Sequence, residues 1–222
     1  MIDILIHGIN GKMGNAVYAA AERRKDVNVA CGVDKHVFGK FDCPVYSDLS
    51  EVNCRVDAVI DFSSPSALPS LIAFAEENGC TLVIATTGHD EKQKLAIAEA
   101  AKRIPICFSP NTSRGINSVI KILPELKKLL GGFDITVAEM HGSKKKDKPS
   151  GTALALSDVL GGAEIISARG GDIAGIHEII FTGKNEQITI KHSAFSREVF
   201  AEGALDACVK ITKMPPALYE VL

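Results

Sequence analysis

The chain has 222 residues, enough for one large or two modest domains around a substantial core. Charged side chains make up 23% of it and the formal net charge is −2, so composition offers no footprint for nucleic acid or a membrane surface. No apolar run reaches the ~18 residues of a membrane span, and no secretory leader is expected.

The six cysteines (Cys31, Cys43, Cys54, Cys80, Cys107 and Cys208) are scattered without a C-x-x-C pair, and the six histidines show no H-x-x-x-H. Neither metal binding nor disulfides are expected, which fits a reducing cytoplasm.

In chain order, the apolar run Ile2–His7 reads as a strand, followed by the turn Gly8-Ile9-Asn10-Gly11-Lys12-Met13-Gly14 and a helix over 15–21. Glycines there permit a tight turn and close approach of backbone to a pyrophosphate at a helix N-terminus. A second strand, 27–33, ends at Asp34, about 20 residues beyond Gly14, where a dinucleotide fold places the acid that binds the adenosine ribose. Lys35 follows. The acid favours the free ribose hydroxyl of NADH and the cation the extra phosphate of NADPH, so the pair predicts tolerance of both.

Strands at 56–62, 81–85 and 105–108 then alternate with helices at 65–78 and 91–103, which predicts a doubly wound parallel sheet. Ligands bind at the carboxyl ends of such strands. Three polar clusters fall there: Asp61-Phe62-Ser63-Ser64-Pro65, Ala85-Thr86-Thr87-Gly88, and Ser109-Pro110-Asn111-Thr112-Ser113.

The pattern changes after Asn111. A long helix over 116–130 closes at Gly131-Gly132, and a strand over 134–140 leads into E-M-H-G-S-K-K-K-D-K-P-S-G-T-A, residues 139–153. An imidazole at a strand end, ammonium groups on a loop and a helix start at Pro149-Ser150-Gly151-Thr152 together suit a small carboxylate that also needs a proton. A solvated lysine turn is the alternative reading. Strands at 164–168, 175–182 and 187–192, the last two joined by a Gly183–Glu186 hairpin turn, predict a second domain with a mixed, largely antiparallel sheet. A helix over 196–211 ends before Met214-Pro215-Pro216.

Seven blocks in order, from G-I-N-G-K-M-G through D-F-S-S-P-S-A, A-T-T-G, S-P-N-T-S-R-G-I-N, the 139–153 stretch and R-G-G-D-I-A-G-I-H to S-R-E-V-F-A-E-G-A-L-D-A, resemble the dihydrodipicolinate reductase family. The resemblance covers nearly the whole chain. It implies a Rossmann-type dinucleotide-binding domain over 1–112 with 196–222, and a substrate-binding and oligomerisation domain over 113–195. Residues Gly8, Ile9, Asn10, Gly11, Lys12 and Met13 would line the cofactor, with Asp34 and Lys35 at the ribose. Ala85, Thr86 and Thr87, and Ser109, Pro110, Asn111 and Thr112, would lie near the nicotinamide. His141 looks like the family's proton donor/acceptor and Lys145 like its proton-donating lysine, with Asp147 two positions on marking Lys145 out from Lys144 and Lys146. Gly142, Gly151 and Thr152 fall on substrate-binding positions, and Gly151-Thr152 would hold a carboxylate.

The implied activity is NADH- or NADPH-dependent reduction of a cyclic dicarboxylate imine in the diaminopimelate pathway, by a cytoplasmic homotetramer. His141 and Lys145 are expected to converge beside the nicotinamide, and the lysine-rich loop to depress the His141 pKa. Three positions depart from the family pattern: Gly142 replaces a second histidine, Arg114 an aliphatic residue, and Thr112 a frequent aromatic. Arg114, Lys144 or Lys146 is the expected substitute for the missing charge. His177 and Arg169 read as structural. Alternatives are another NAD(P)-dependent imine or aldehyde oxidoreductase, or a non-catalytic NADH sensor.

Overall fold

The structure, a computed structural model, describes residues 1–37 and 41–221; residue 222, the last of the expected first domain, lies outside the described residues. The chain divides into two compact units, Met1–Ser113 with Phe200–Leu222, and Arg114–Val199.

In chain order the elements are β1 (Ile2–His7), α1 (Lys12–Ala21), β2 (Val27–Val33), β3 (Val45–Tyr46), β4 (Ala58–Asp61), α2 (Leu68–Asn78), β5 (Thr81–Ile84), α3 (Glu91–Ala100) and β6 (Pro105–Phe108). Then come α4 (Arg114–Leu129), β7 (Asp134–His141), α5 (Gly151–Val159), β8 (Glu164–Arg169), β9 (Gly175–Thr182), β10 (Gln187–Ala194), α6 (Glu198–Ile211) and β11 (Ala217–Tyr219).

The first unit holds a seven-stranded sheet, among the described residues, in the order β11-β6-β5-β4-β1-β2-β3. Every neighbouring pair is parallel. Because parallel neighbours need crossovers, helices cover both faces. Ile4, Ile6, Val17, Ala20, Ala204, Leu205 and Cys208 form one core between the sheet and α1 with α6. Leu5, Val59, Leu82, Ile84, Leu71 and Ile97 form the other, between the sheet and α2 with α3. Strand order reverses between β1 and β4, which places a switch point at the ends of those strands.

The second unit holds a four-stranded sheet in the order β10-β9-β7-β8, among the described residues. β10/β9 and β9/β7 are antiparallel and β7/β8 is parallel, giving the mixed sheet. Period-two alternation turns Val137, Ile179 and Phe181 onto Ile116 and Leu123 of α4 and Ala153 and Leu156 of α5.

Three features depart from the sequence reading. Helix α1 begins at Lys12 and not after Gly14, because Gly11 is its extended N-cap and Gly14 is already helical. Strand β3 has two residues and β11 three, too short for any alternation to show; β11 forms because Ala217, Leu218 and Tyr219 find partners along β6. Helix α6 starts at Glu198, two residues later than expected.

Gly14 is fixed by packing: a Cβ there would lie 2.1 Å from the Gly8 carbonyl oxygen and 2.5 Å from the Ile9 Cα. Gly14→Ala must push the turn off the helix, an overpacking cost of about 1–3 kcal/mol. The urea midpoint of the first unit is expected to fall accordingly; an unmoved midpoint would contradict this close approach.

Candidate active site

The ends of β1, β2, β4, β5 and β6 bring the expected cofactor residues of the first unit to one sheet edge. Gly8 turns the chain with φ +82° and lies so close to the next strand end that a Cβ would sit 2.7 Å from the Phe62 carbonyl oxygen. Helix α1 then opens with no side-chain cap at Gly11, so its first turn presents backbone donors of the kind that hold a phosphate. Asn10 Oδ1 is buried there with no partner among the described residues. The Asp34 carboxylate, the expected ribose acid, accepts the backbone N–H groups of Asn10 (3.0 Å) and His36 (3.2 Å), so it shapes the turn. Lys12 and Lys35 are exposed and Ile9 and Met13 are partly or fully buried. An uncapped helix start, an orphaned amide oxygen and a strand-end acid fit a dinucleotide.

Two expected cofactor contacts are occupied within the fold. Asp61, fully buried, accepts from Thr86 Oγ1 (2.6 Å) and Ser63 Oγ (2.5 Å), and its other contact is His7 Nδ1 (2.8 Å). Thr86 Oγ1 also accepts from the Ser63 N–H at 2.8 Å. Thr112 Oγ1 donates to the Phe200 carbonyl at 2.6 Å, and a Cβ on Gly203 would lie 1.7 Å from the Thr112 carbonyl oxygen. These hydroxyls pin the strand-end loops, while Ala85, exposed Thr87 and Pro110, Ser109 and Asn111 complete the edge.

In the second unit His141 ends β7, where the strand pattern turns it inward beside Glu139. Its Nδ1 lies 2.5 Å from Glu139 Oε2, and Arg169 Nη1 donates to that same oxygen at 2.8 Å. The Arg169 Nη2 group donates to the Asp147 carbonyl at 2.5 Å, which ties the lysine loop to β8. Lys145, half-buried between exposed Lys144 and Lys146, pairs with Asp147 at 2.9 Å. Ser150 caps α5 by accepting from the Ala153 N–H (3.2 Å), and Gly151 and buried Thr152 begin that helix. Gly142 donates its N–H to the Ile173 carbonyl, and a Cβ there would meet the Gly171 carbonyl oxygen at 3.3 Å, so a larger residue must displace the 171–173 turn. Arg114, Lys144 and Lys146 are exposed.

The His141 pKa is lowered, and the dominant cause is burial, opposed by Glu139; the cations Lys145 and Arg169 add smaller downward pushes. The downward push expected from the lysine loop is present through Lys145, but a ring at 7% exposure loses more from desolvation than from that ammonium. Burial would raise Glu139, but hydrogen bonding with His141, Ser167 and Arg169 outweighs it and holds the acid below its usual range.

His177 and Arg169, read from the sequence as structural, both lie in the cluster around His141. The His177 ring sits 5.1 Å from that of His141, its Nε2 is 3.4 Å from Ser150 Oγ, and burial with two neighbouring histidines pushes its pKa down to about 4. The alternation E-M-H put Glu139 on the same strand face as His141, a signal available from sequence. The long-range partners Arg169 and His177 begin and end one of the family blocks, but nothing local in the sequence places them beside His141.

A doubly wound sheet with a glycine turn at its switch point, joined to a mixed-sheet unit with an acid-held histidine, defines a two-domain protein of the dinucleotide-dependent oxidoreductase type. The chain belongs to the dihydrodipicolinate reductase family: models described as its N-terminus and C-terminus match residues 2–112 and 115–222. It is 44% identical to the 4-hydroxy-tetrahydrodipicolinate reductase of Caldanaerobacter subterraneus subsp. tengcongensis, over 99% of this chain and 96% of that one. It is 38% identical to the enzyme of the same name from Clostridium tetani, over 100% and 96%. In fold it is similar to the dipicolinate-bound dihydrodipicolinate reductase of Paenisporosarcina sp. TG-14, with TM-score 0.81 at 20% identity over 99% of this chain and 97% of that one.

Two stability effects follow from these clusters. Asp61→Ala leaves three buried or half-buried partners without their acceptor and is expected to destabilise the first unit by about 1–3 kcal/mol, read by urea denaturation; a loss within error of zero would contradict the network. For His177 the folded pKa lies below the ordinary 6.5, so its contribution is present above that value and is lost as pH falls toward about 4. From this group alone the second unit should lose about 2 kcal/mol on going from neutral pH to about pH 5. A His177→Gln variant should lose that part of the pH dependence, and an equally steep profile would refute the assignment.

Proposed function

We propose that the protein reduces dihydrodipicolinate, formed by loss of water from 4-hydroxy-tetrahydrodipicolinate, to tetrahydrodipicolinate in the diaminopimelate route to lysine. The observation that carries this reading is the Glu139–His141 pair beside the Lys145 loop and the capped start of α5, in a chain both of whose halves match the family. A bound reduced nicotinamide supplies the hydride, which adds to the ring carbon conjugated to the imine. Electron density then moves toward the ring nitrogen. Lys145 stabilises that charge and can donate a proton to it, a role its half-buried, Asp147-paired ammonium supports better than exposed Lys144 or Lys146. His141 delivers or relays the proton that balances the hydride, with its ring held at Nδ1 by Glu139.

Gly151 and Thr152, at the N-terminus of α5, receive a substrate carboxylate, and Gly142 lies at the neighbouring substrate position. Arg114, Lys144 or Lys146 supplies the charge that a second histidine gives in the family. The first unit is the dinucleotide-binding domain, with Gly8–Met13 by position at the pyrophosphate and Asp34 and Lys35 at the ribose. Both NADH and NADPH are accepted. The substrate-binding unit also assembles the homotetramer: Met140 and Ile166 point away from its core, exposed at 39% and 56%, on a sheet face that α4 and α5 do not cover. The enzyme works in the cytoplasm.

The test is loss of reduced-nicotinamide absorbance with enzymatically generated substrate and either cofactor. His141→Ala and Lys145→Ala should each lower kcat by roughly 10²–10⁴-fold, the range of general acid–base catalysis, with reduced-cofactor affinity by calorimetry unchanged. Wild-type kcat in either variant would contradict its role. Arg114→Ala, Lys144→Ala or Lys146→Ala should raise KM for the substrate; an unchanged KM in all three removes the replacement-charge reading.

A further inference from the structure

The Glu139 carboxylate is fully buried as a side chain, yet it is not placed to meet a ligand. Its Oε2 is shared by His141 Nδ1 at 2.5 Å and Arg169 Nη1 at 2.8 Å, and its Oε1 accepts the Ser150 N–H at 3.3 Å. One side chain therefore joins the end of β7, the end of β8 and the residue that caps α5. Arg169 continues the connection through its second nitrogen to the carbonyl of Asp147, whose carboxylate holds Lys145. From imidazole to ammonium the path runs His141–Glu139–Arg169–Asp147–Lys145, and each link lies within hydrogen-bonding range.

We propose that Glu139 and Arg169 are positioning residues that hold His141 in one tautomer and set its distance to Lys145. This rests on the roles given to His141 and Lys145 above. An ionised carboxylate at Nδ1 can only accept, so the Nδ1 hydrogen stays on the ring and the exchangeable proton is confined to Nε2. Nε2 in turn faces Gly175, where even a Cβ would approach to 3.0 Å, so β9 leaves room in front of the working nitrogen by carrying no side chain there. Arg169 balances the buried acid and, because its planar fork has two separate donors, spans Oε2 and the loop carbonyl at once; a lysine could satisfy one of them.

The charged and titratable groups facing His141 come from every element around it: Glu139 on its own strand, Arg169 on β8, His177 on β9 with His192 of β10 beyond it at 6.4 Å from the His177 ring, and Lys145 on the loop. Glu139 favours the protonated ring and Arg169 disfavours it. Their removal must therefore move His141 in opposite directions, a result that loss of packing alone does not give.

The experiment is histidine titration by NMR on the full chain, with steady-state kinetics on the same samples. In the wild type His141 should show the Nδ1–H tautomer when neutral. Glu139→Gln should lower the His141 pKa, carry the alkaline fall of kcat/KM to lower pH, and reduce kcat by roughly 100-fold, the lower end of what general acid–base catalysis contributes. Arg169→Gln should shift the same titration upward. Arg169→Lys, which retains the charge and is the least disruptive change, should leave the titration near the wild-type position yet lower kcat because the loop carbonyl loses its donor. If Glu139→Gln and Arg169→Gln move the titration the same way or not at all, or if Arg169→Lys keeps wild-type kcat, the positioning role is wrong. The tautomer and titration are read without turnover, so absence of activity on the proposed substrate would overturn the reductase reading while leaving this one to be judged on the spectra.

Discussion

A buried carboxylate is tolerated only where its charge is balanced and its lone pairs are used. Glu139 meets that condition with one imidazole, one guanidinium and one backbone N–H, and the second unit is arranged to supply them. β8 must run parallel to β7 so that Arg169 pairs in register with His141, and β9 antiparallel so that His177 comes opposite Glu139. Helix α5 must start at Ser150. The same demand explains why the unit's core, rich in Ile, Val and Leu beneath α4 and α5, gives way to a polar cluster at one end of the sheet.

The first unit holds a buried carboxylate with two hydroxyls and an imidazole. Asp61 ends β4 and gathers side chains from β1 and the loops after β4 and β5. The result is a fixed set of strand ends around the reversal in strand order, where the glycine turn exposes the uncapped start of α1. Hydroxyls of Thr86 and Thr112, which belong by position to the cofactor edge, hold that edge in shape; what they leave for a ligand is backbone and the exposed neighbours Thr87 and Pro110.

Much of this was legible in the sequence because it is local. Strand periods, the 8–14 glycine turn, Gly79 ending α2 and the Ser150 start of α5 each depend on residues within a few positions of one another. Elements of two or three residues, β3 and β11, carry too little pattern to read and exist through their neighbours. The site divides the same way. His141, Lys145 and Gly151 stand in one contiguous stretch, whereas Arg169 and His177 reach it only when β8 and β9 align beside β7. The Lys145 push on His141 could be read from the sequence, but the larger push from burial could not, since burial is a property of the packed sheet.

In the proposed reaction a hydride from reduced nicotinamide and a proton handled by His141 and Lys145 reduce the ring of dihydrodipicolinate. Its most direct test is turnover with NADH or NADPH deuterated at the transferable position, followed by mass analysis of the product. Tetrahydrodipicolinate is expected to leave with the cofactor's deuterium on a ring carbon, and the transfer to be slowed together with turnover in His141→Ala and Lys145→Ala. Product lacking that label, or labelled at wild-type rate by both variants, would contradict it.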